Sequence, residues 1–299
     1  MNLYDQISGN KRTSIFLIII FIIMIILLGS LIGLVFGYLY LGLIIAIFIS
    51  VIMILIGYYS GNDMILSMSH AKEVTKKEDP YLVNTIEGLA IAAGIPTPKI
   101  YIIQENSMNA FATGRDPKHS SITVTSGLRS KMNREELEGV IAHEMSHIKN
   151  YDIRLMMLAT VLVGIVVLLS DFLLRSFLWG PKDNNNKNSG IIVIVAIVIG
   201  LLLAILSPII AQIIQLSISR KREYLADASG ALLCRNPRGL ANALKKISKD
   251  TDKVVDTANK ATAHLYIENP LRHMKGSVNK LFNTHPPIED RIKKLESMY

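Results

Sequence analysis

The chain has 299 residues, of which 50% are hydrophobic and 19% are charged, and its formal net charge at pH 7 is +8. Its mean hydropathy of +0.36 is high for a soluble protein, so the composition favours an integral membrane protein. Contact with anionic lipid headgroups on the membrane accounts for the net positive charge. No nucleic-acid-binding motif accompanies this charge. The single cysteine, Cys234, excludes an internal disulfide.

Two long apolar runs stand near the N-terminus. Ser14 to Phe36 carries no charge and is long enough to span a bilayer, and Leu39 to Tyr59 follows after only Gly37 and Tyr38. We expect these runs to form a tight transmembrane hairpin within a first domain, residues 1–59. We expect no cleaved signal peptide, because the first run is too long and no small-residue cleavage site follows it.

The polar segment that follows shows one helix pattern and two strand patterns. Asp79 can cap a helix over residues 80–94, which begins with a proline and ends with a glycine. The β-branched residues of Lys99 to Gln104 and Ser121 to Thr125 predict two strands, with residues 109–118 between them. We expect a small antiparallel sheet with an exposed edge, to which an extended peptide can be added.

Residues 143–147 read H-E-M-S-H, an H-E-x-x-H pattern within a helix that begins with a capping box at Asn133. Histidines four positions apart lie on one face of a helix, so His143 and His147 can bind the same metal ion. Glu144 then lies beside that ion, where it can take a proton from a bound water. The structural alternative is a pair of buried histidines, which would need separate hydrogen-bond partners.

Two further apolar runs follow the motif. Leu155 to Leu174 and Ile191 to about Leu216 are each long enough to span a membrane, and a polar loop at 175–190 separates them. We expect a second transmembrane hairpin over residues 155–218, which makes four spans in two hairpins. The alternative is a hairpin that packs against the polar domain without fully crossing the membrane. Asp171 is expected at the membrane interface, and the alternative is a proton-relay role.

A catalytic zinc ion of this kind needs a third protein ligand from elsewhere in the chain. Glu223 is the best candidate. Asp227 lies one helical turn after it and can accept a hydrogen bond from the outer nitrogen of a metal-binding histidine. Asp152 is a weaker candidate for the same supporting role. The alternative for this segment is a charged helix surface with an ordinary glutamate.

Two arguments place both polar segments on the cytoplasmic side. Lys11 and Arg12 precede the first span, and most other Lys and Arg residues lie within residues 60–154 and 219–299. Glu223 must also reach the histidine pair, so an even number of crossings must separate them. We therefore expect one catalytic domain in two parts, 60–154 and 219–299, interrupted by the second hairpin.

The C-terminal part contains two predicted helix starts. Asn236 and Pro237 begin one helix, and the proline pair at 286–287 begins the last one. That last helix places three apolar residues on one face: Ile288, Ile292 and Leu295. The loop at 175–190 and the residues between Asp250 and Ser277 carry no motif.

Four sequence elements appear in an order that resembles one protein family. They are N-A-F-A-T-G at 109–114, H-E-M-S-H at 143–147, R-E-Y-L-A-D at 222–227 and H-P-P at 285–287. Over essentially its whole length, the chain resembles the HtpX family of membrane zinc metalloproteases, relatives of the CAAX prenyl proteases. The resemblance implies an α-helical membrane protein of the gluzincin type, with a zincin-like α+β catalytic domain that is mainly helical. It also implies one Zn²⁺ per chain, held by His143, His147 and Glu223.

The resemblance implies roles for two more residues. His285 is expected to donate a hydrogen bond to the developing oxyanion, and the alternative is a helix-entry residue before two prolines. Asn109 is expected to hold the substrate backbone, and the alternative is a plain turn residue. Arg291 could pair with a carboxylate of the site, and we assign it no role.

Three function classes follow. The leading one, which the resemblance implies, is a zinc endopeptidase of the bacterial inner (plasma) membrane that cleaves misfolded or damaged membrane proteins at the cytoplasmic face under stress. Its partners would be membrane-protein or unfolded polypeptide substrates and the lipid bilayer, with the oligomeric state left open. The first alternative is a prenyl-protein protease, although such relatives have more membrane helices than the four predicted here. The second is a non-enzymatic scaffold with a structural zinc, which usually takes four ligands, often cysteines.

Overall fold

A computed structural model describes most of the chain. It covers residues 3–35, 37–164, 220–250, 262–268 and 286–299, together with residues 255, 258 and 270. The third predicted apolar run is therefore described only as far as residue 164. The fourth run lies outside the described residues, as do Asp171 and His285.

Two long helices form an N-terminal hairpin. They are α1 (Leu3–Val35) and α2 (Leu39–Met68), and Gly37 in the turn adopts a φ of +77°, which glycine tolerates best. Among the described residues, Ile7–Leu27 and Leu39–Met68 are the candidate membrane spans by length and apolar composition. Two of the four predicted spans are therefore found in this part of the chain.

The sheet is mixed rather than antiparallel. Its strands are β1 (Lys72–Glu73), β2 (Lys99–Ile103), β3 (Ala110–Asp116) and β4 (His119–Thr125), in the order β1-β2-β4-β3. The expected antiparallel sheet is wrong because β2 and β4 pair in parallel. After β2, the chain passes to the edge of the sheet, where it forms β3. The β3–β4 hairpin then returns β4 to a place beside β2.

Outside the N-terminal hairpin, the two polar segments (60–154 and 219–299) form the polar part of the chain. Its helices begin where capping residues predict them. Asp79 caps α3 (Pro80–Ala93), and Asn133 forms a capping box with Glu136 at the start of α5 (Arg134–Lys149). The other helices are α4 (Ser126–Lys131), α6 (residues 152–164), α7 (Arg220–Cys234), α8 (Pro237–Ser248) and α9 (Ile288–Glu296), with a 3-10 turn at Ala263–Leu265.

The helix α5 is the centre of the polar part. It contacts α3, α7, α8 and β3. Its apolar stripe is fully buried: Leu137, Val140, Ile141, Met145 and Ile148. Helix α7 approaches closely at Gly230, where an added Cβ would lie 2.8 Å from the backbone nitrogen of His143. Elements from both polar parts of the chain therefore pack on the helix that carries the H-E-x-x-H motif.

An alanine at Gly230 is expected to lower the free energy of unfolding by about 1–3 kcal/mol, because its Cβ would overlap the backbone of α5. Gly88 in α3 provides the matched control, since nothing lies within 4 Å of its added Cβ. Gly88→Ala should stabilise the protein by up to about 1 kcal/mol. Denaturant unfolding followed by circular dichroism measures both changes. Equal effects of the two substitutions would contradict the close approach of α7 to α5.

Candidate metal centre

Helix α5 directs its two histidines at the same point. The Nε2 atoms of His143 and His147 are 3.2 Å apart, and both side chains are buried. Their rings stand almost perpendicular, at 88°, with centroids 4.8 Å apart. The spacing of four residues therefore places both ring nitrogens on one face, as the motif predicts.

Helix α7 brings a carboxylate to the histidine pair. Oε1 of Glu223 lies 3.5 Å from Nε2 of His147, and Oε2 lies 3.8 Å from Nε2 of His143. Glu223 is itself buried. Within the described part of the chain, these three side chains form a group whose ligand atoms all lie within 4.8 Å of one another. Two imidazole nitrogens and one carboxylate are a ligand set that catalytic zinc sites use.

A carboxylate faces the outer nitrogen of each histidine. Oδ1 of Asp227 lies 3.0 Å from Nδ1 of His143, and Oδ2 of Asp152 lies 3.0 Å from Nδ1 of His147. Asp227 follows Glu223 by one turn of α7, so the same helix face supplies both carboxylates. The structure thus places both predicted supporting residues next to a histidine.

The motif helix does not run directly into the third apolar run. It ends at Lys149, and Tyr151 adopts a φ of +61° before α6 begins at residue 152. On a continuous helix, Asp152 would stand about 140° around the axis from His147. The left-handed residue turns the chain so that the Asp152 carboxylate reaches the histidine ring.

The hydrogen-bond chemistry of this cluster fits a cation. A neutral histidine that donates from Nδ1 to a carboxylate keeps a lone pair on Nε2. Nδ1 of His143 and Nδ1 of His147 both face carboxylates, so the lone pairs on the two Nε2 atoms face each other across 3.2 Å. A proton or a metal ion must lie between them, and Glu223 adds a negative charge at the same point. These residues could therefore hold a divalent metal ion.

The charge of His147 depends on its carboxylate neighbours. Burial lowers the pKa of His147, but Asp152, Glu223 and Glu144 outweigh burial and raise it to about 9. In the absence of a metal ion, the ring therefore carries a proton at neutral pH. A metal ion must displace that proton in order to bind.

Metal loading at pH 7 is therefore expected to release about one proton. Apparent metal affinity should rise by about tenfold per pH unit between about pH 6.5 and 9. Stability of the metal-free chain follows the opposite trend, because the raised His147 pKa stabilises it fully below about pH 6.5 and this contribution disappears as pH rises through about 9. Zinc titration calorimetry in two buffers of different ionisation enthalpy counts the released protons. No proton release at pH 7 would contradict the expectation.

Arg291 of α9 is a buried cation beside the cluster. It donates to both carboxylate oxygens of Asp227, at 2.9 and 2.7 Å, and is 1% exposed. Burial works against its charge, but Asp227 and Glu223 raise the pKa of Arg291 above its ordinary value. In return, Arg291 and His143 lower the pKa of Asp227 to about 2, although burial opposes this change. The pair therefore stays ionised, and Asp227 stays an acceptor for His143.

The sequence alone predicts no role for Asn10 or Arg291, although both lie at the site. Asn10 of α1 donates from Nδ2 to Oδ1 of Asp152 at 2.5 Å and accepts a hydrogen bond from Arg222 at 2.9 Å. One available signal was the polar Asn10 shortly before an apolar run. For Arg291, the signal was a charge among the apolar residues of the last helix. Asn10 ties α1 directly to the residues around the metal cluster.

Glu144 follows His143 in α5 and is buried. Burial raises the pKa of Glu144 above its ordinary value, and His143 and His147 counteract that rise. A carboxyl group with a raised pKa is suited to accepting a proton and passing it on near neutral pH.

Asn109 lies at the start of β3, where it binds peptide backbone from a distant part of the chain. Its Nδ2 donates to the carbonyl oxygen of Glu268 at 2.9 Å, and Ile267 N donates to the carbonyl oxygen of Ala110 at 3.0 Å. Arg291 donates from Nη1 to the carbonyl oxygen of Ile267 at 3.2 Å. The edge of β3 near the metal cluster is therefore engaged by residues 267–268.

Comparisons with known proteins agree with this site. The sequence profile of peptidase family M48 matches residues 76–299. The chain is 48% identical to the protease HtpX homolog of Dictyoglomus turgidum over 295 residues, which are 99% of this chain and 94% of that protein. It is 46% identical to the homolog of Listeria monocytogenes serotype 4a over 309 residues, covering 99% of this chain and 100% of that protein.

A solved structure shares the fold. The crystal structure of Ste24p from S. mikatae superposes with a TM-score of 0.54 at 22% sequence identity, covering 98% of this chain and 67% of that chain. At this identity, the likeness concerns the fold alone. The family match includes the H-E-x-x-H helix and Glu223, whose side chains form the buried cluster. The chain therefore belongs to peptidase family M48 and is a membrane metalloprotease similar to the HtpX proteases.

Proposed function

We propose that the chain is a zinc endopeptidase of the bacterial plasma membrane, which cleaves misfolded or damaged membrane proteins at the cytoplasmic face during stress. The buried cluster of His143, His147 and Glu223 carries this proposal. Its link to the candidate span α1 through Asn10 and Asp152 supports a site at the membrane surface. Peptide bonds close to that surface are then the accessible ones.

Different side chains would bind the metal ion, orient the histidine rings and transfer the proton. His143, His147 and Glu223 would hold one zinc ion, while the aspartates facing the two Nδ1 atoms orient the rings. When bound, zinc polarises a peptide carbonyl and makes a water molecule more acidic. Glu144 takes the proton from the attacking water and passes it to the nitrogen of the leaving amine.

The substrate backbone would bind along β3. Asn109 and the carbonyl of Ala110 would hold an extended peptide as an added strand. Their hydrogen bonds with residues 267–268 support this role, since both groups already bind peptide backbone. His285 is the proposed donor to the developing oxyanion, because it belongs to the H-P-P element.

The proposed domain division places residues 1–59 and 155–218 in two transmembrane hairpins. Residues 60–154 and 219–299 would form one cytoplasmic domain, and the packing of α7 and α8 on α5 supports this. Single cysteines at Asn185 and Lys77, in a Cys234→Ser background, test the orientation. A membrane-impermeant thiol reagent on intact cells should label Asn185→Cys and spare Lys77→Cys. Labelling at Lys77→Cys would reject the cytoplasmic assignment, and protection at Asn185→Cys would favour a second hairpin that does not cross the membrane.

Reconstituted enzyme tests the substrate class. The substrate is a single-span protein with a destabilised cytoplasmic tail, compared with a stably folded tail and with the same destabilised tail released as a soluble peptide. Zinc-loaded enzyme should cut the membrane-anchored destabilised tail fastest, and a chelator should abolish cleavage until zinc is restored. Equal rates for the anchored and released tails would reject a membrane-surface preference. Equal rates for destabilised and folded tails would reject a role in quality control.

A further inference from the structure

A cavity of about 250 Å³ opens beside the second half of α2. Tyr58 and Tyr59 line it. Since α2 begins at Leu39, about 20 residues, or about 30 Å, lie between its start and these tyrosines. That length matches the hydrocarbon core of a bilayer, so Tyr58 and Tyr59 stand at the level of the lipid headgroups, where tyrosine is enriched.

The cavity is rich in positive charge. Lys99, Arg115 and Lys118 line it together with His119, and Asp63 is the acid among its lining residues. The guanidinium of Arg115 lies 5.0 Å from the centroid of the Tyr59 ring. This stacking holds the cation at the cavity wall. Asp116 lies 3.7 Å from Arg115 and pairs with His119, whereas Lys99 and Lys118 form no ion pair with any described residue.

A buried serine also lines the cavity. Ser121 of β4 is 1% exposed, and its Oγ has no hydrogen-bond partner among the residues that the structure describes. A buried hydroxyl without a protein partner costs free energy unless water or a ligand satisfies it. A ligand with several acceptor oxygens would satisfy Ser121 and the surrounding cations together.

We propose that this cavity binds the phosphate group of an anionic phospholipid from the membrane leaflet next to the catalytic domain. Arg115, Lys118 and Ser121 would contact the phosphate oxygens, and the tyrosines would pack against the start of the acyl chains. Arg115 and Lys118 belong to the β3–β4 hairpin. A bound lipid would therefore hold β3, the proposed substrate strand, at a fixed height above the membrane.

Thermal unfolding of the zinc-loaded full chain in a zwitterionic detergent tests this site, in a Glu144→Ala background that prevents self-digestion. The probes are short-chain phosphatidylglycerol, short-chain phosphatidylcholine and inorganic phosphate. Phosphatidylglycerol should raise the Tm by about 4 °C at ten times its dissociation constant. Equal shifts with phosphatidylcholine would overturn the proposal. An equal shift with inorganic phosphate at the same concentration would overturn the lipid assignment.

Three double variants locate the effect. Arg115→Gln with Lys118→Gln should raise the half-saturating phosphatidylglycerol concentration at least about tenfold. Lys99→Gln with Lys118→Gln changes only exposed side chains and should raise it as well, so the test survives if Arg115 is needed for folding. Lys77→Gln with Lys293→Gln removes the same charge from exposed positions outside the cavity. An equal response in all three variants would overturn the site.

A separate set of contacts carries a second inference, which rests on the proposed substrate strand. The groups that would hold a substrate backbone already bind residues 267–268: the carbonyl of Ala110 and the side-chain amide of Asn109. The buried Arg291 also donates to the carbonyl oxygen of Ile267. Ile267 is 2% exposed and packs in the hydrophobic core, and Arg291 connects its carbonyl oxygen to Asp227 at the metal cluster. We infer that residues 266–268 occupy the substrate groove of the resting enzyme and must leave before a peptide binds.

Ile267→Pro tests this occlusion, because it removes the N–H that donates to Ala110. Tyr266 has φ −75° and ψ 146°, which suits a residue before proline. The loss of one hydrogen bond should lower the KM for a peptide substrate by about 2- to 10-fold while kcat stays unchanged. Leu265→Ala is the control, since it trims a buried side chain of the same segment and keeps the Ile267 bond.

Hydrogen exchange gives an independent readout in the Glu144→Ala protein. Added peptide should increase exchange of the Ile267 amide, because the segment is displaced. An unchanged KM in Ile267→Pro, or added protection of that amide by peptide, would overturn the occlusion. If the wild-type enzyme cleaves no peptide at all, the proposed function fails instead, so the two failures are distinguishable.

Discussion

Glu144→Ala is expected to lower kcat/KM for a peptide substrate by about 10²–10⁴-fold, which is the usual contribution of a general base. Glu144 is buried in α5 directly after the first histidine, and burial raises its pKa. Because Glu144 is not one of the three clustered ligands, zinc content and thermal stability should remain close to those of the wild type. Steady-state hydrolysis and metal analysis of the same preparation measure both properties.

Glu144→Gln sharpens this test, because the amide keeps the shape of the side chain and loses its basicity. Both substitutions should therefore remove activity to a similar extent. Glu138→Gln is the matched control: Glu138 lies in the same helix and pairs on the surface with Arg134. It should cleave at the wild-type rate. Activity of Glu144→Gln within a factor of ten of the wild type would reject Glu144 as the proton acceptor.

Local signals predicted the helices of the polar part well. A cap acts through residues three positions apart, so Asp79 and Asn133 define helix starts without knowledge of the rest of the fold. The spacing of His143 and His147 works in the same way, since it depends only on the helical period. These parts of the fold and site could therefore be predicted from the sequence.

The sheet and the surroundings of the metal cluster depend on distant parts of the chain. No local pattern reveals that β4 returns beside β2, and this return makes the pair parallel. Asn10 reaches Asp152 from 142 positions away, and Arg291 reaches Asp227 from 64 positions away. A polar or charged residue within an apolar pattern suggests burial with a partner, but it does not identify that partner.

The helix break at Tyr151 shows why local rules were incomplete even near the motif. A positive φ in a residue other than glycine is uncommon, and the apolar residues of α6 favour a continuous helix. The break is nevertheless what brings Asp152 back to the second histidine. The arrangement around the site thus overrides the conformational preference of one residue.

Glu223→Gln is expected to weaken zinc binding by about 100-fold. Apparent zinc binding energies of about 10–16 kcal/mol are shared among three or four protein ligands, so one ligand accounts for about 3 kcal/mol. The glutamine fills the same space between the two histidines without the negative charge. Hydrolysis should fall in parallel with zinc occupancy and recover in part when zinc is added in excess.

Comparison with Asp227→Asn separates a ligand from a supporting residue. Asp227 contacts the outer nitrogen of His143, and loss of such a partner usually costs about 10–100-fold in metal affinity. The effect of Glu223→Gln should therefore be the larger of the two, and Glu138→Gln should have no effect on zinc affinity. Competition with a fluorescent zinc chelator measures all three dissociation constants. Full zinc affinity in Glu223→Gln would remove Glu223 as the third ligand.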